Sequence, residues 1–207
     1  MRSDIRIWLE FLKSWNHQAR WRRHPDPITI HHDASKHGFG FYLSGLPDDF
    51  PVADLPVALR PGNSFAGAFS DSDLRGPVAR NICWAELFAI VYSLALYGPY
   101  FANRDITVFT DNMSDVSIIN RQSTTDPELL ALLRLLYLCC VTHNIGIRAE
   151  HVPGVDNVVA DFLSRPALHL HANHVPANHH PAPLCIHHVH SSLLVTTAGC
   201  PRTNFNC

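Results

Sequence analysis

Two aspartates follow directly after strand-like segments, a position where carboxylates can act together. Asp33 comes after residues 28–32 and Asp111 comes after residues 106–110, and both segments have the pattern of a β-strand. Ligands of open α/β sheets gather at the carboxyl ends of strands, so the two acids are expected at one edge of a sheet. Each aspartate alone is also explained by a turn or a helix cap, because Asp is common in both.

Two further acids border apolar helix faces. Glu86 lies at the edge of the apolar stripe in the helical pattern over residues 82–97. An ionised carboxylate there is costly unless a cation or a hydrogen-bond partner compensates it, and the alternative is a rim glutamate that reaches solvent. Asp161 has the same kind of position on the last predicted helix, residues 156–165.

Together, four such acids would form an oxygen-rich site, suited to hard divalent cations such as Mg²⁺ or Mn²⁺. Two such ions about 3.5–4 Å apart can activate water and stabilise the leaving oxygen in phosphodiester cleavage. The acids in question are Asp33, Glu86, Asp111 and Asp161.

The hydrophobic pattern predicts the elements that must position these acids. Strands are predicted over residues 28–32 and 39–43, which form a hairpin, and over residues 106–110 and 145–152. Helices are predicted over residues 82–97, 113–121, 127–142 and 156–165, with Asn81 and Asp126 as caps. A long loop with one short strand near residues 64–69 is predicted for the segment 46–80. Because this segment is long and irregular, the position of the third strand stays open. A hairpin followed by alternating helices and strands predicts an α/β domain with a mixed sheet.

Composition limits the class of protein further. The 207 residues are 46% hydrophobic and 16% charged, so the chain can bury a core. The formal charge of −2 excludes a strongly basic, histone-like nucleic-acid binder. No C-x-x-C pair occurs among the six cysteines, which predicts reduced thiols and an intracellular protein, in the cytoplasm or nucleus. No transmembrane segment and no membrane partner are expected.

Motifs around the four acids resemble the ribonuclease H domain of retrotransposon reverse transcriptases. They are Asp33-Ala34-Ser35, Trp84-Ala85-Glu86-Leu87, Thr110-Asp111-Asn112 and the segment 151–165. That last segment follows the pattern H-x-P-G-x-x-N-x-x-A-D-x-L-S-R and is the most specific of the motifs. The T-D-N form and the pattern Trp8-Leu9-x-Phe11-Leu12-x-x-Trp15-Asn16 resemble DIRS-type elements, which encode a tyrosine recombinase. The resemblance covers residues 5–166.

This resemblance implies a ribonuclease H-like five-stranded mixed sheet flanked by helices, which binds two Mg²⁺ ions, with Mn²⁺ as the alternative ion. It also implies hydrolysis of the RNA strand of an RNA–DNA hybrid. By position in the motifs, the metal ligands are Asp33, Glu86, Asp111 and Asp161, and Asp33 bridges both ions. His151 matches the mobile histidine that assists product release or proton transfer, and is equally explained by a strand-end histidine bonded to backbone. Contacts to the hybrid backbone, or orientation of the carboxylates, are expected from Ser35, Asn112 and Asn157.

Three parts are predicted along the chain. Residues 1–27 are a connection helix, residues 28–166 are the ribonuclease H-like domain, and residues 167–207 are a disordered tail rich in His and Pro. Eight of the fifteen histidines lie in this tail, and their irregular spacing favours a low-complexity segment over a zinc site.

The expected partners are an RNA–DNA hybrid and the polymerase portion of a longer reverse transcriptase, because the chain has no Y-x-D-D polymerase motif. Without a basic helix and with a charge of −2, the domain alone is expected to bind the hybrid weakly. Two alternatives stay open. One is a degenerate, non-catalytic remnant that folds and binds nucleic acid or a partner. The other is an enzyme with the same architecture that acts on DNA, as integrases and resolvases do.

Overall fold

The computed structural model describes residues 2–14, 26–55, 60, 64–165 and 186–189. Its five main strands are β1 (Ile28–Ala34), β2 (Gly38–Gly45), β3 (Ser64–Phe69), β4 (Asp105–Thr110) and β5 (Gly146–His151). They lie in the order β5-β4-β1-β2-β3, with β1, β4 and β5 parallel and β2 antiparallel to both neighbours. The predicted five-stranded mixed sheet is confirmed, and the third strand lies at residues 64–69. A short sixth strand, β6 (Ile186–Val189), pairs in parallel with β3.

Helices flank this sheet, and their bounds follow local capping. They are α1 (Arg2–Ser14), α2 (Asp71–Arg75), α3 (Pro77–Arg80), α4 (Ile82–Tyr97), α5 (Met113–Arg121), α6 (Pro127–His143) and α7 (Val158–Leu163). The predicted caps are confirmed, since Asn81 accepts from the amide of Cys83 and Asp126 accepts from the amides of Glu128 and Leu129.

The loop predicted before α4 also contains helix, and in this respect the prediction was wrong. Helix α2 is capped by Ser70, whose side chain accepts a hydrogen bond from the Asp73 amide, and α3 has Pro77 in its first turn. Caps and a fixed proline φ stabilise these short helices, which carry no amphipathic period to recognise.

Helix α4 lies at the centre of the core, against β1, β2 and α6. Its Phe88 and Tyr92 pack on Phe39 of the sheet, with ring centroids 5.6 and 5.3 Å from it. By length and composition alone, the stretch Ile82–Phe101 could cross a membrane, but most of it is buried inside the protein. Its apolar character is therefore explained by the core.

A glycine of β2 lets α7 lie directly on the sheet. Gly40 pairs with Asp33 in the β1–β2 register. A Cβ atom at Gly40 would overlap Leu163 of α7, including its backbone. Helix α7 therefore approaches β1 and β2 closely, which brings Asp161 to the part of the sheet that carries Asp33.

The structure describes only portions of the two flanking regions. Helix α1 lies against α6 with Phe11 buried, while residues 15–25 of the predicted connection helix lie outside the described residues. Apart from β6, the predicted tail over residues 167–207 also lies outside them, so its disorder and the three-part division of the chain stay predictions. Three cysteines within the described residues are free thiols: Cys83, Cys139 and Cys140.

Candidate metal centre

Parallel pairing of β1 with β4 brings two of the predicted acids side by side. The register pairs His31 with Phe109, and two residues further along each strand are Asp33 and Asp111. Asp33 lies inside β1, because the strand continues two residues beyond its predicted end. Carboxylate oxygens of Asp33, Glu86 and Asp111 lie within 4.8 Å of one another. Three of the four predicted acids therefore converge.

Glu86 is held toward this edge by a residue of the next element. The side-chain amide of Asn112 donates a hydrogen bond to Oε2 of Glu86, and the same amide nitrogen lies 3.3 Å from Sγ of Cys83. The side-chain carbonyl oxygen Oδ1 of Asn112 accepts a hydrogen bond from the backbone amide of Ser114 at 2.8 Å and so caps α5. Asn112 therefore both caps α5 and orients Glu86.

Asp33 and Glu86 are destabilised as anions. Burial, together with the negative charges of Asp111 and Asp161, raises the pKa of Asp33 to about 6, although a hydrogen bond with Ser164 and the charge of Arg165 oppose the change. Burial raises the pKa of Glu86 to about 7, assisted by the charges of Asp33 and Asp111 and opposed by the hydrogen bond from Asn112. Negative charge at this site is therefore costly unless a cation balances it.

A further buried carboxyl group, Asp115 of α5, was not predicted from the sequence. It is fully buried, and neither of its oxygens accepts a hydrogen bond within the described part of the chain. Burial raises its pKa well above the ordinary value, and the charges of Glu86 and Asp111 add to this effect. The signal was helical spacing, because Asp115 lies three and four residues before Ile118 and Ile119, which are both buried.

Asp161, the fourth predicted acid, lies at the rim of the site and outside the group of three. Its Oδ1 accepts hydrogen bonds from Arg165, at 3.1 Å from Nε and 2.5 Å from Nη2. Nearly half of its side chain is exposed. Its negative charge contributes to the raised pKa of Asp33, of which burial is the largest cause. The structure thus places Asp161 near the converging acids but pairs it with Arg165.

The loop between β5 and α7 packs over the centre. His151 ends β5 opposite Thr110 and is exposed, and the Val152 amide donates to the Thr110 carbonyl. A Cβ atom at Gly154 would lie 3.0 Å from Oδ2 of Asp111. The glycine of the H-x-P-G segment therefore permits the loop to approach Asp111.

Ser35 and Asn157 make their hydrogen bonds inside the protein. The Ser35 hydroxyl donates to the Ser164 carbonyl at 2.6 Å, which ties the end of α7 to β1. Asn157 is buried, accepts from Nδ1 of His31 and donates to the His32 carbonyl. Both residues thus fasten the segment that carries Asp161 to the strand that carries Asp33. Their contact with a nucleic acid stays a prediction.

The donor set of the centre suits a divalent metal ion. All converging atoms are carboxylate oxygens, which are the ligands that hard cations such as Mg²⁺ and Mn²⁺ prefer. Burial and the charges of Glu86 and Asp111 also disfavour the anionic form of Asp115, which has no hydrogen-bond partner among the described residues, and a cation at the site would favour that form. The residues present therefore fit a divalent cation.

Three solved structures resemble the chain in fold. RNase H1 from the halophilic archaeon Halobacterium salinarum NRC-1 is 16% identical with a TM-score of 0.49, over 69% of this chain and 98% of that one. The N-terminal RNase H domain of rv2228c from Mycobacterium tuberculosis, fused to maltose-binding protein, is 17% identical with a TM-score of 0.48, over 70% and 96%. LC11-RNase H1 in complex with an RNA/DNA hybrid is 15% identical with a TM-score of 0.49, over 68% and 99%.

No protein-family model matches the sequence, and no curated protein does either. At these identities the likeness to solved structures concerns the fold, and nothing about the chemistry of the centre follows from it. The chemistry follows from the acids themselves and from the elements that hold them.

Proposed function

We propose that this protein is a metal-dependent endonuclease that hydrolyses the RNA strand of RNA–DNA hybrids. The observation that carries the proposal is the convergence of Asp33, Glu86 and Asp111 within 4.8 Å. These acids come from β1, α4 and the end of β4, and each lies in a motif that resembles the ribonuclease H domain of retrotransposon reverse transcriptases. These acids are far apart in the sequence, and only the fold brings their carboxylates together. Such a convergence supports a functional site.

In this proposal, Asp33, Glu86 and Asp111 would hold two Mg²⁺ ions, and Asp161 would contribute its charge from the rim. Bound ions of this kind activate water and stabilise charge on the leaving oxygen. Hydrolysis adds the hydroxyl of water to phosphorus, which leaves a 5′-phosphate. The bond between phosphorus and the 3′ oxygen breaks, and the remaining proton of the water goes to that oxygen, which leaves a 3′-hydroxyl.

The other residues of the centre orient the acids, hold the loop in place, or would assist proton transfer. Asn112 orients Glu86 through its amide, and Asn157 holds the loop before α7 on β1. His151, exposed at the end of β5, would assist proton transfer or product release. Contact with the hybrid backbone is proposed for Ser35, Asn112 and Asn157, in addition to the hydrogen bonds they make inside the protein.

The proposed setting is a retroelement reverse transcriptase inside the cell. The motif resemblance, including the DIRS-like form around Asp111, supports this setting, and the polymerase portion of such an enzyme would supply most of the grip on the hybrid. With a formal charge of −2, the domain alone would bind weakly and in a salt-sensitive manner.

The test is cleavage of a labelled RNA–DNA hybrid by the purified chain at low salt, with Mg²⁺, Mn²⁺ or EDTA. We expect cleavage with either metal, none with EDTA, and none of double-stranded DNA, since the 2′-hydroxyl distinguishes the strands. Asp111→Asn is expected to abolish cleavage. Asp105→Asn is the matched control, because it alters a buried aspartate at the opposite end of β4.

An intact hybrid with both metals, or equal cleavage by wild type and Asp111→Asn, would contradict the proposal. Calorimetry then separates the remaining readings. A chain that neither cleaves nor binds Mn²⁺ is a folded remnant, while a chain that cleaves only DNA belongs with the integrase-like alternative.

A further inference from the structure

We propose that Asp115 belongs to the cation site, as a buried carboxylate that lies outside the converging group of three and strengthens the binding of the ion by that group. This inference rests on the proposed function, because it concerns the same metal centre. It adds a residue that the family motifs do not mark.

The first observation is the burial of an unpartnered acid. Asp115 has no exposed surface, and both of its carboxylate oxygens lack a hydrogen-bond partner among the described residues. A buried polar group without a partner costs free energy, and an isolated buried charge costs far more. A group in this position needs a compensating partner that the polypeptide described here does not supply.

The second observation is the position of Asp115 on α5. It is the third residue of α5 and lies three residues after the cap Asn112, whose side-chain amide holds Glu86. Residues three and four apart lie on the same side of a helix. The helix therefore presents Asp115 on the side from which Asn112 reaches Glu86, and the charges of Glu86 and Asp111 both act on it.

The third observation concerns charge balance. No basic side chain in the described ranges forms an ion pair with Glu86, Asp111 or Asp115. Arg165, the basic residue nearest in the motif, is engaged by Asp161 at the rim. Three neighbouring acids without a basic partner repel one another, and a divalent cation relieves all three at once.

A different reading is that Asp115 is a neutral acid that serves only packing. An asparagine has nearly the same shape and can also donate a hydrogen bond, so Asp115→Asn would then bind metal as the wild type does. The two readings therefore differ in the effect of a single isosteric change on cation affinity.

The test is calorimetric titration of the whole chain with Mn²⁺ for wild type, Asp115→Asn, Asp115→Ala and the control Asp105→Asn. We expect both Asp115 variants to bind Mn²⁺ about 10–100-fold more weakly, as removal of a residue that supports a metal does elsewhere. Asp105→Asn should bind as wild type does. A change of less than about threefold in both Asp115 variants overturns the inference, because it falls below that range.

Thermal unfolding supplies a second readout. Without metal, Asp115→Asn should unfold at a higher temperature than wild type, because it removes a buried acid, and it should gain less from added Mn²⁺. An equal gain in variant and wild type overturns the inference. The inference is also overturned if both Asp115 variants fail to fold even with Mn²⁺ present, because a purely structural role of Asp115 then explains the result.

Failure of the proposed function looks different. If wild type itself binds no Mn²⁺ and leaves the hybrid intact, the metal centre is absent and the inference falls with it. If wild type binds Mn²⁺ and cleaves while the Asp115 variants do the same, only the inference fails.

Discussion

The side-chain amide of Asn112 donates a hydrogen bond to Glu86, while its carbonyl oxygen caps helix α5. One residue thus couples an acid of α4 to the helix that begins directly after Asp111. This arrangement explains how an acid at the border of an apolar stripe is held toward the end of β4. The two roles of Asn112 can be separated by substitution.

We predict that Asn112→Ser lowers hybrid cleavage at least tenfold while leaving stability close to that of wild type. Serine caps helices about as well as asparagine, but it is too short to reach Glu86 as the amide does. Asn112→Ala should lose both roles and cost about 1 kcal/mol of unfolding free energy in addition. Cleavage rates and urea unfolding of the two variants check this, and equal activity of Asn112→Ser and wild type would refute it.

We predict that Asp111→Asn and Asp161→Asn affect metal binding unequally. Asp111 belongs to the converging group, whereas Asp161 lies at the rim and pairs with Arg165. Mn²⁺ affinity should fall at least about tenfold in Asp111→Asn and less than about threefold in Asp161→Asn. Calorimetry measures both affinities. A loss of Mn²⁺ affinity above about threefold in Asp161→Asn would show that Asp161 leaves Arg165 to ligate the ion.

The ion pair between Asp161 and Arg165 should matter little for stability. Both side chains are about half exposed, and exposed pairs contribute roughly 0.2–1 kcal/mol. Arg165→Gln is therefore expected to change the free energy of unfolding by less than about 1 kcal/mol in denaturant titrations. A larger loss would mean that Arg165 also anchors α7.

The raised pKa of Glu86 predicts a pH-dependent stability in the absence of metal. Its pKa is about 7 in the folded protein against 4.5 for the ordinary group, so the folded state holds the proton more tightly. The Glu86 contribution therefore destabilises the fold progressively as pH rises from 4.5 to 7. Buried His32, with its pKa lowered to about 3 by burial, has the opposite slope, so a variant comparison is required.

We expect Glu86→Gln to match wild type near pH 4.5 and to be more stable at pH 8 by on the order of 1–3 kcal/mol in EDTA. The contribution of His32 is common to both proteins and cancels. Chemical denaturation at both pH values measures the difference. A stability difference between Glu86→Gln and wild type that does not vary with pH would contradict the raised pKa of Glu86.

We predict that Gly154→Ala reduces cleavage by disturbing Asp111. A Cβ atom there would lie 3.0 Å from Oδ2 of Asp111, closer than carbon and oxygen normally approach. The expected result is a several-fold loss of Mn²⁺ affinity and of activity. Val155→Ala, which alters an exposed neighbour in the same loop, should change neither. Equal behaviour of the two variants would show that the loop yields without moving Asp111.

Several elements could be predicted from local pattern alone. Helices α4 and α5 have the bounds expected from the sequence, because apolar period, caps and turn residues are short-range signals. The position of the third strand was left open, and the structure places β3 where one short strand was expected. The short helices α2 and α3 were missed, since they depend on a cap at Ser70 and on Pro77 and lack a periodic face. The H-x-P-G-x-x-N-x-x-A-D-x-L-S-R segment identified the loop and helix that cover the site.

Sequence by itself determined which acids lie near strand ends and which border helix faces, because those properties depend on neighbours along the chain. Only the tertiary structure decided which of them meet. The parallel register of β1 and β4 set Asp33 beside Asp111, while the pairing with Arg165 kept Asp161 at the rim. The burial of Asp115 depends on how α5 packs against distant elements. Such packing is a property of the folded chain and cannot be read from the residues around it.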